Sequence, residues 1–195
     1  MSSVSDEWRQ EPDLDKLRAA YQRRQNDPVG AIAAFRELAT RGSVKSLLYM
    51  AEMFRDGLGV EQNSNEAMKF FEQARKLGSL DGLLSLGMLY AEIGSIDKAE
   101  EVFKEGAKRE YAPAMDRLAM IYLKERNDQN KAEAIELLEG ASRIGNIYAK
   151  RHLGALLIRS GPGVAARLRG VSLVAQAFRE GIQQYIANPH SDLVR

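Results

Sequence analysis

The sequence predicts an all-α fold, an α-solenoid of about five stacked helix-turn-helix repeats with a C-terminal capping helix. Three observations predict it. Residues 43–78 read as two amphipathic helices back to back, with Leu47, Met50, Ala51 and Phe54 on one face of the first and Ala67, Phe70, Phe71 and Ala74 on one face of the second. The first-helix signature then recurs as Met50-Ala51 with Phe54, Leu86-Gly87 with Tyr90, Leu118-Ala119 with Tyr122 and Leu153-Gly154 with Leu157, and in weaker form as Leu17 with Tyr21; the intervals are 33, 36, 32 and 35 residues. A second marker, the repeat ends Gly42, Gly78, Glu110, Gly145 and Gly181, gives 36, 32, 35 and 36. A period of this size without strand-like alternation means helical hairpins, each unable to bury its apolar face without a neighbour.

Taken in order, Asp13 is placed to cap a first helix reaching about residue 25, with Leu14, Leu17, Ala20 and Tyr21 on one face. Asn26-Asp27-Pro28 breaks it, and Pro28 suits the first turn of a second helix carrying Ala31, Ala34, Phe35 and Leu38 up to Gly42. The next repeat has helices at 44–54 and 66–77 around Gly57-Leu58-Gly59-Val60, with Asn63-Ser64-Asn65 supplying cap oxygens and Gly78 a left-handed C-terminal cap. Two further repeats shorten the turn to Glu92-Ile93-Gly94-Ser95 and Lys124-Glu125-Arg126-Asn127. In the last, Val171, Val174, Phe178, Ile182 and Tyr185 are spaced 3, 4, 4 and 3, so the final helix outlasts its repeat until Asn188-Pro189. The domain layout is then a polar tail (1–12), a repeat domain (13–187) and a C-terminal tail (188–195).

The small residues Ala51, Gly87, Ala119 and Gly154 let the second helix of each hairpin come close. A glycine within a helix costs roughly 1 kcal/mol relative to alanine, so Gly87 and Gly154 signal tight packing.

Composition narrows the function. Twenty-eight basic against twenty-seven acidic side chains give a net charge of +1, so no global field attracts nucleic acid or an anionic membrane. With no cysteine, disulfides, thiolate metal sites and cysteine nucleophiles are excluded. The N-terminus is acidic and lacks the apolar run of a secretory signal, which makes the cytoplasm the expected location; Trp8 there is expected to pack back on the first helix. His152 and His190 are the only histidines and lack metal-site spacing, so His152 reads as a surface or inter-helix residue. Gly161-Pro162-Gly163 lacks the lysine and hydroxyl of a phosphate loop, and Pro162 removes a donor, so it reads as an inter-helix turn. Arg159, Arg167 and Arg169 form a local basic cluster. No catalytic residue, cofactor site or metal site is expected.

The run of a small residue, Leu-Gly-x-x-Tyr, x-x-Gly-x-Gly-Val and Lys-Ala before Ala-x-x-Gly resembles the SEL-one-like repeat (SLR), a relative of the tetratricopeptide repeat. It is carried by Phe54 through Gly59-Val60, Leu86-Gly87 with Tyr90, Lys98-Ala99, Lys131-Ala132 and Gly161-Pro162-Gly163-Val164, with Gly170 standing where Ala67, Ala99 and Ala132 do. It spans about residues 13–181, and the two shortened turns depart from it. The resemblance implies a right-handed solenoid and a non-enzymatic, bacterial, cytoplasmic scaffold that binds a protein or peptide, including immunity, chaperone-like or regulatory partners. It also implies that first-helix positions line a concave groove: Lys45, Leu48, Glu52 and Arg55; Asp81, Leu84 and Met88; Asp116, Met120 and Leu123; and Tyr148, Arg151, Ala155, Ile158 and Arg159. The stripe Leu48, Leu84, Met88, Met120, Leu123 and Ile158 is apolar with charged borders, as a peptide binder requires. The alternative is a self-assembling structural protein that docks as a homodimer through Ile182, Tyr185 and Ile186 of the last helix.

Overall fold

The computed structural model describes residues 11–124 and 128–187; Trp8, His190, the Asn188-Pro189 stop and the turn residues Glu125-Arg126-Asn127 lie outside them. Among the described residues there are ten helices and no strand: α1 Leu14–Arg23, α2 Pro28–Thr40, α3 Val44–Asp56, α4 Ser64–Lys76, α5 Leu80–Glu92, α6 Ile96–Lys108, α7 Ala112–Lys124, α8 Asp128–Arg143, α9 Ile147–Ser160 and α10 Gly163–Ala187. The chain divides into two compact units, Met1–Val102 and Phe103–Arg195, with the division inside α6.

The helices begin and end where local chemistry dictates. Asp13, Asp27 and Asn63 accept hydrogen bonds from the first-turn amides of α1, α2 and α4, and Ser43, Ser79 and Asn146 do the same for α3, α5 and α9. Pro28 occupies the first position of α2, where its missing N–H is not needed. The four junctions between repeats share one conformation: Gly42, Gly78 and Gly145 have φ between 92° and 99°, and Glu110, standing in for glycine, is forced to +53°. Gly181 differs. It lies inside α10, which runs on to Ala187 as its continuous apolar spacing predicts.

In the first unit α1 packs on α2, α2 on α3, α3 on α4 and α4 on α5. One core joins Leu17, Ala20, Ala31, Ile32, Phe35, Leu38, Met50 and Met53; the next joins Leu47, Leu48, Ala51, Ala67, Phe71, Ala74, Leu86 and Leu89. Each core draws on successive hairpins, which is how a repeat that cannot bury its own face becomes stable. In the second unit α7 pairs with α8 and α9 with α10, and α9 also touches α8 and α7.

The small positions behave as expected: Ala51, Gly87, Ala119 and Gly154 are all buried. The second-helix register needs one correction. Ala67 and Ala99 are buried, but Ala132 is exposed and the buried alanine of α8 is Ala134. Ala31, Ala67, Ala99, Ala134 and Gly170 then fall at intervals of 36, 32, 35 and 36, the spacing of the repeat ends. The Lys131-Ala132 pair resembled the family locally and is out of phase by two residues. Gly161 ends α9 and Gly163 opens α10 at φ +77°, so Gly161-Pro162-Gly163 is the inter-helix turn.

Candidate partner-binding surface

In the first unit the expected surface residues project from α3 and α5, and they divide by burial. Leu48 is only 5% exposed and belongs to the core between the second and third repeats, so it is corrected from surface to core. Lys45 is also buried; its ammonium reaches Asp81 at 2.9 Å, tying the first helices of two consecutive repeats together. Leu84 is half-buried, and Met88, one turn further along α5, is 42% exposed.

Glu52 belongs to a cluster that the sequence did not reveal. Its carboxylate lies 3.3 Å from the Arg24 guanidinium, which stacks 4.2 Å above the Tyr21 ring; Tyr21 and Tyr49 are 4.9 Å apart, and Tyr49 also meets Phe35 at 5.2 Å. Burial pushes the Glu52 carboxyl above its ordinary range, opposed by Arg24. Burial likewise raises the Tyr49 phenol, helped by Tyr21 and Glu52, so it stays neutral. Arg55 is held charged chiefly by its hydrogen bond to Asp56, at 2.8 Å. A signal did exist: Tyr21 sits at the aromatic position of the first, weaker repeat, and Tyr49 precedes the signature Met50. What hid the cluster is that its cation and its carboxylate come from different repeats, 28 residues apart; the first helix also ends at Arg23, short of the residue 25 expected, with Arg24 as its C-cap.

In the second unit Asp116 is 3% exposed and its carboxylate accepts from His152 Nδ1 at 2.7 Å. This makes Asp116 a buried partner and not a surface residue, and makes His152 the inter-helix residue expected of it. Met120 and Leu123 are half-buried, while Ala155, Ile158 and Arg159 are exposed. Leu123 and Arg159 share a small cavity of about 270 Å³ with Tyr122, Asp128 and Leu156. Tyr148 is exposed, and the Arg151 guanidinium stands 5.4 Å above its ring. Of the basic cluster, Arg169 is engaged by Glu139 at 3.0 Å and Arg167 is exposed.

Two inter-repeat polar contacts therefore have the same character. Lys45–Asp81 and Asp116–His152 each span 36 residues and each puts one nearly buried charged or polar side chain between neighbouring first helices. Subtracting the buried members leaves Met88 with Leu84 in the first unit and Ile158 with Met120 and Leu123 in the second as the apolar side chains a ligand could reach. Among the described residues, no group of three or more acidic or histidine side chains is placed to hold a metal, and no helix is long and apolar enough to cross a membrane.

Residues 44–79 and 112–146 match the Sel1 repeat, one match in each unit. No curated protein sequence matches the chain. Among solved structures, it resembles c5321, a protective antigen present in uropathogenic Escherichia coli strains and displaying an SLR fold, with 22% identity and a TM-score of 0.71 over 85% of this chain. It spans only 38% of that protein's length. A Sel1 repeat protein from Oxalobacter formigenes gives 18% identity and a TM-score of 0.69, covering 88% of this chain and 76% of that one. The immunity protein Pa5087 from Pseudomonas aeruginosa gives 20% and 0.56, covering 86% and 67%. These likenesses establish the fold: an all-helical array of Sel1-like helix pairs.

Proposed function

We propose that the protein is a non-enzymatic, cytoplasmic scaffold that binds a protein or peptide through its first-helix faces. The observation that carries this reading is the exposure of Met88 and Ile158, each about two-fifths accessible on a first helix whose other large aliphatic side chains are buried or half-buried. Half-buried Leu84, Met120 and Leu123 extend these apolar spots, and Arg55, Arg151 and Arg159 border them. A flexible thioether beside aliphatic side chains, rimmed by charge, suits an amphipathic segment of a partner. Sel1-type arrays serve generally as protein-binding surfaces, and one neighbour of the same fold is an immunity protein. Immunity, chaperone-like and regulatory roles are the forms this proposal covers.

The test is affinity capture from extract of the native cells, comparing the wild type with Met88→Glu and Ile158→Glu. Each substitution is on an exposed side chain, so helicity should be retained, while a buried anchor typically contributes upward of about 1 to 2 kcal/mol to binding. Loss of the same captured protein from one variant identifies the unit that carries the site. Unchanged capture by both variants sinks the proposal.

A further inference from the structure

Among the described residues, the last helix carries a second apolar surface. Val164, Leu168, Val171, Ala175, Phe178, Ile182 and Tyr185 follow one another at 4, 3, 4, 3, 4 and 3 residues. This is an uninterrupted heptad seam three repeats long. It is not packed on α9, because Gly170 and Ala177 face that way and are buried. The six large members of the seam are exposed by 43% to 73%, and Ala175 is exposed as well. The sequence spacing noted earlier, through Val171, Val174, Phe178 and Ile182, mixed this seam with Val174, which is half-buried beside Gly154.

We propose that this face pairs with α10 of a second copy of the chain, running antiparallel about a two-fold axis near Ala175. The proposal goes beyond the scaffold reading and does not depend on it. Four observations select this occupant. The seam is graded in size, with Val164, Leu168 and Val171 in its first half and Phe178, Ile182 and Tyr185 in its second. A two-fold axis at the small Ala175 sets each small half against a large one and lets the helix axes approach.

A cavity of about 500 Å³ lies beside the second half only, walled by Ile147, Tyr148 and Arg151 of α9 and by Phe178, Ile182 and Tyr185 of α10. Gly181 opens it, since a Cβ there would meet nothing closer than 3.9 Å. The same axis lays Leu168 and Val171 of the second copy over this cavity, and the arrangement repeats at the other end. Such reciprocity is what an isologous interface requires.

Charge points the same way. The flanking cations are Arg167 and Arg179, twelve residues or about 18 Å apart along the helix. Antiparallel pairing sets Arg179 opposite the region of Ser172 and Arg167 opposite that of Gln183, so like charges do not meet. The extent is also adequate. The seam is about 33 Å long, and its large side chains with Ile186 and Tyr148 present on the order of 800 Å², the area each partner contributes to a standard interface.

Analytical ultracentrifugation of the full chain between about 1 and 100 µM tests the pairing. The expected result is a monomer–dimer equilibrium in this range, with the dissociation constant raised at least about a hundredfold by Phe178→Glu and by Val164→Glu, because each change occurs twice across the axis. Val164→Glu guards against misfolding at Phe178, being the most exposed position of the seam, and circular dichroism confirms that both variants stay helical. The absence of native cysteine allows direction to be read with a short thiol cross-linker. Ala175→Cys should cross-link with itself, whereas Val164→Cys and Tyr185→Cys should cross-link only when mixed. A chain that stays monomeric throughout, a dimer indifferent to both glutamate substitutions, or self-cross-linking of Val164→Cys would each overturn the proposal; in the first case the seam awaits a different partner helix.

Discussion

Gly154 and Gly170 face each other across α9 and α10 so closely that neither could carry a side chain. A Cβ on Gly154 would lie 2.8 Å from the Gly170 carbonyl oxygen and 2.7 Å from Val174 Cγ2, and one on Gly170 would lie 2.7 Å from the Gly154 carbonyl oxygen. The obstacle on each side is backbone, which cannot rotate out of the way.

Gly154→Ala and Gly170→Ala should therefore each lower stability by about 1 to 3 kcal/mol, the usual cost of overpacking, although alanine is the better helix former by about 1 kcal/mol. Urea denaturation checks this. A midpoint equal to or above that of the wild type would mean that the two helices separate easily and that the glycines are not required.

Glu110 offers the opposite experiment. At φ +53° it occupies the left-handed conformation that Gly42, Gly78 and Gly145 occupy at the other junctions. An L-residue with a Cβ is disfavoured there by roughly 1 to 2 kcal/mol, so Glu110→Gly should raise the midpoint by an amount corresponding to about 1 kcal/mol. A lowered melting temperature would show that the glutamate side chain contributes more than the strain costs.

The Asp116–His152 contact should behave as a coupled pair. Asp116→Ala removes the partner of a half-buried imidazole and His152→Ala leaves a buried carboxyl without this one, so each should destabilise by about 1 to 3 kcal/mol. The double variant should cost clearly less than the sum, giving a coupling energy above about 0.5 kcal/mol. Strict additivity would indicate that the 2.7 Å approach carries no energy.

Glu52 predicts a pH effect with a definite sign. Burial raises its folded-state value despite Arg24, so the folded protein holds this proton more tightly than the unfolded chain. The stability linked to it is fully present below the unfolded value and is lost as pH rises through the folded one. Glu52→Gln, which stays neutral, should thus gain relative to the wild type as pH rises from acid to neutral. Glu72 has the opposite sign, since its hydrogen bond to Arg75 lowers it, but the pair is partly exposed and should contribute little. Parallel stability curves for Glu52→Gln and wild type across that range would refute the assignment.

These positions also show what a sequence of this kind reveals. The period and the junctions were legible because Gly42, Gly78 and Gly145 must adopt a conformation open to few residues, and such constraints leave an imprint in one dimension. Faces were less legible. Leu48 and Met88 both lie on apolar first-helix stripes, yet one is core and the other exposed, because the surface facing the next repeat and the surface facing a ligand are separated by a fraction of a turn. Lys45 and Asp116 read as rim charges and are instead buried partners, each satisfied by a residue 36 positions away. The Arg24 cluster eluded the pattern because Arg24 meets Glu52 from the next repeat, 28 residues away, a pairing that spacing along one helix does not show.

Just ahead of α1, Glu11 reaches past the first hairpin: its carboxylate accepts from the Ser43 hydroxyl and, at 2.8 Å, from the Lys45 amide at the start of α3. End hairpins of repeat proteins ordinarily fray first, since they have a neighbour on one side only. Here the α1–α2 hairpin sits inside a loop fastened at Glu11, so it cannot peel away while that clasp holds. Amide exchange in α1 and α2 should then follow the opening of the first turn of α3, making the two leading hairpins a single cooperative unit.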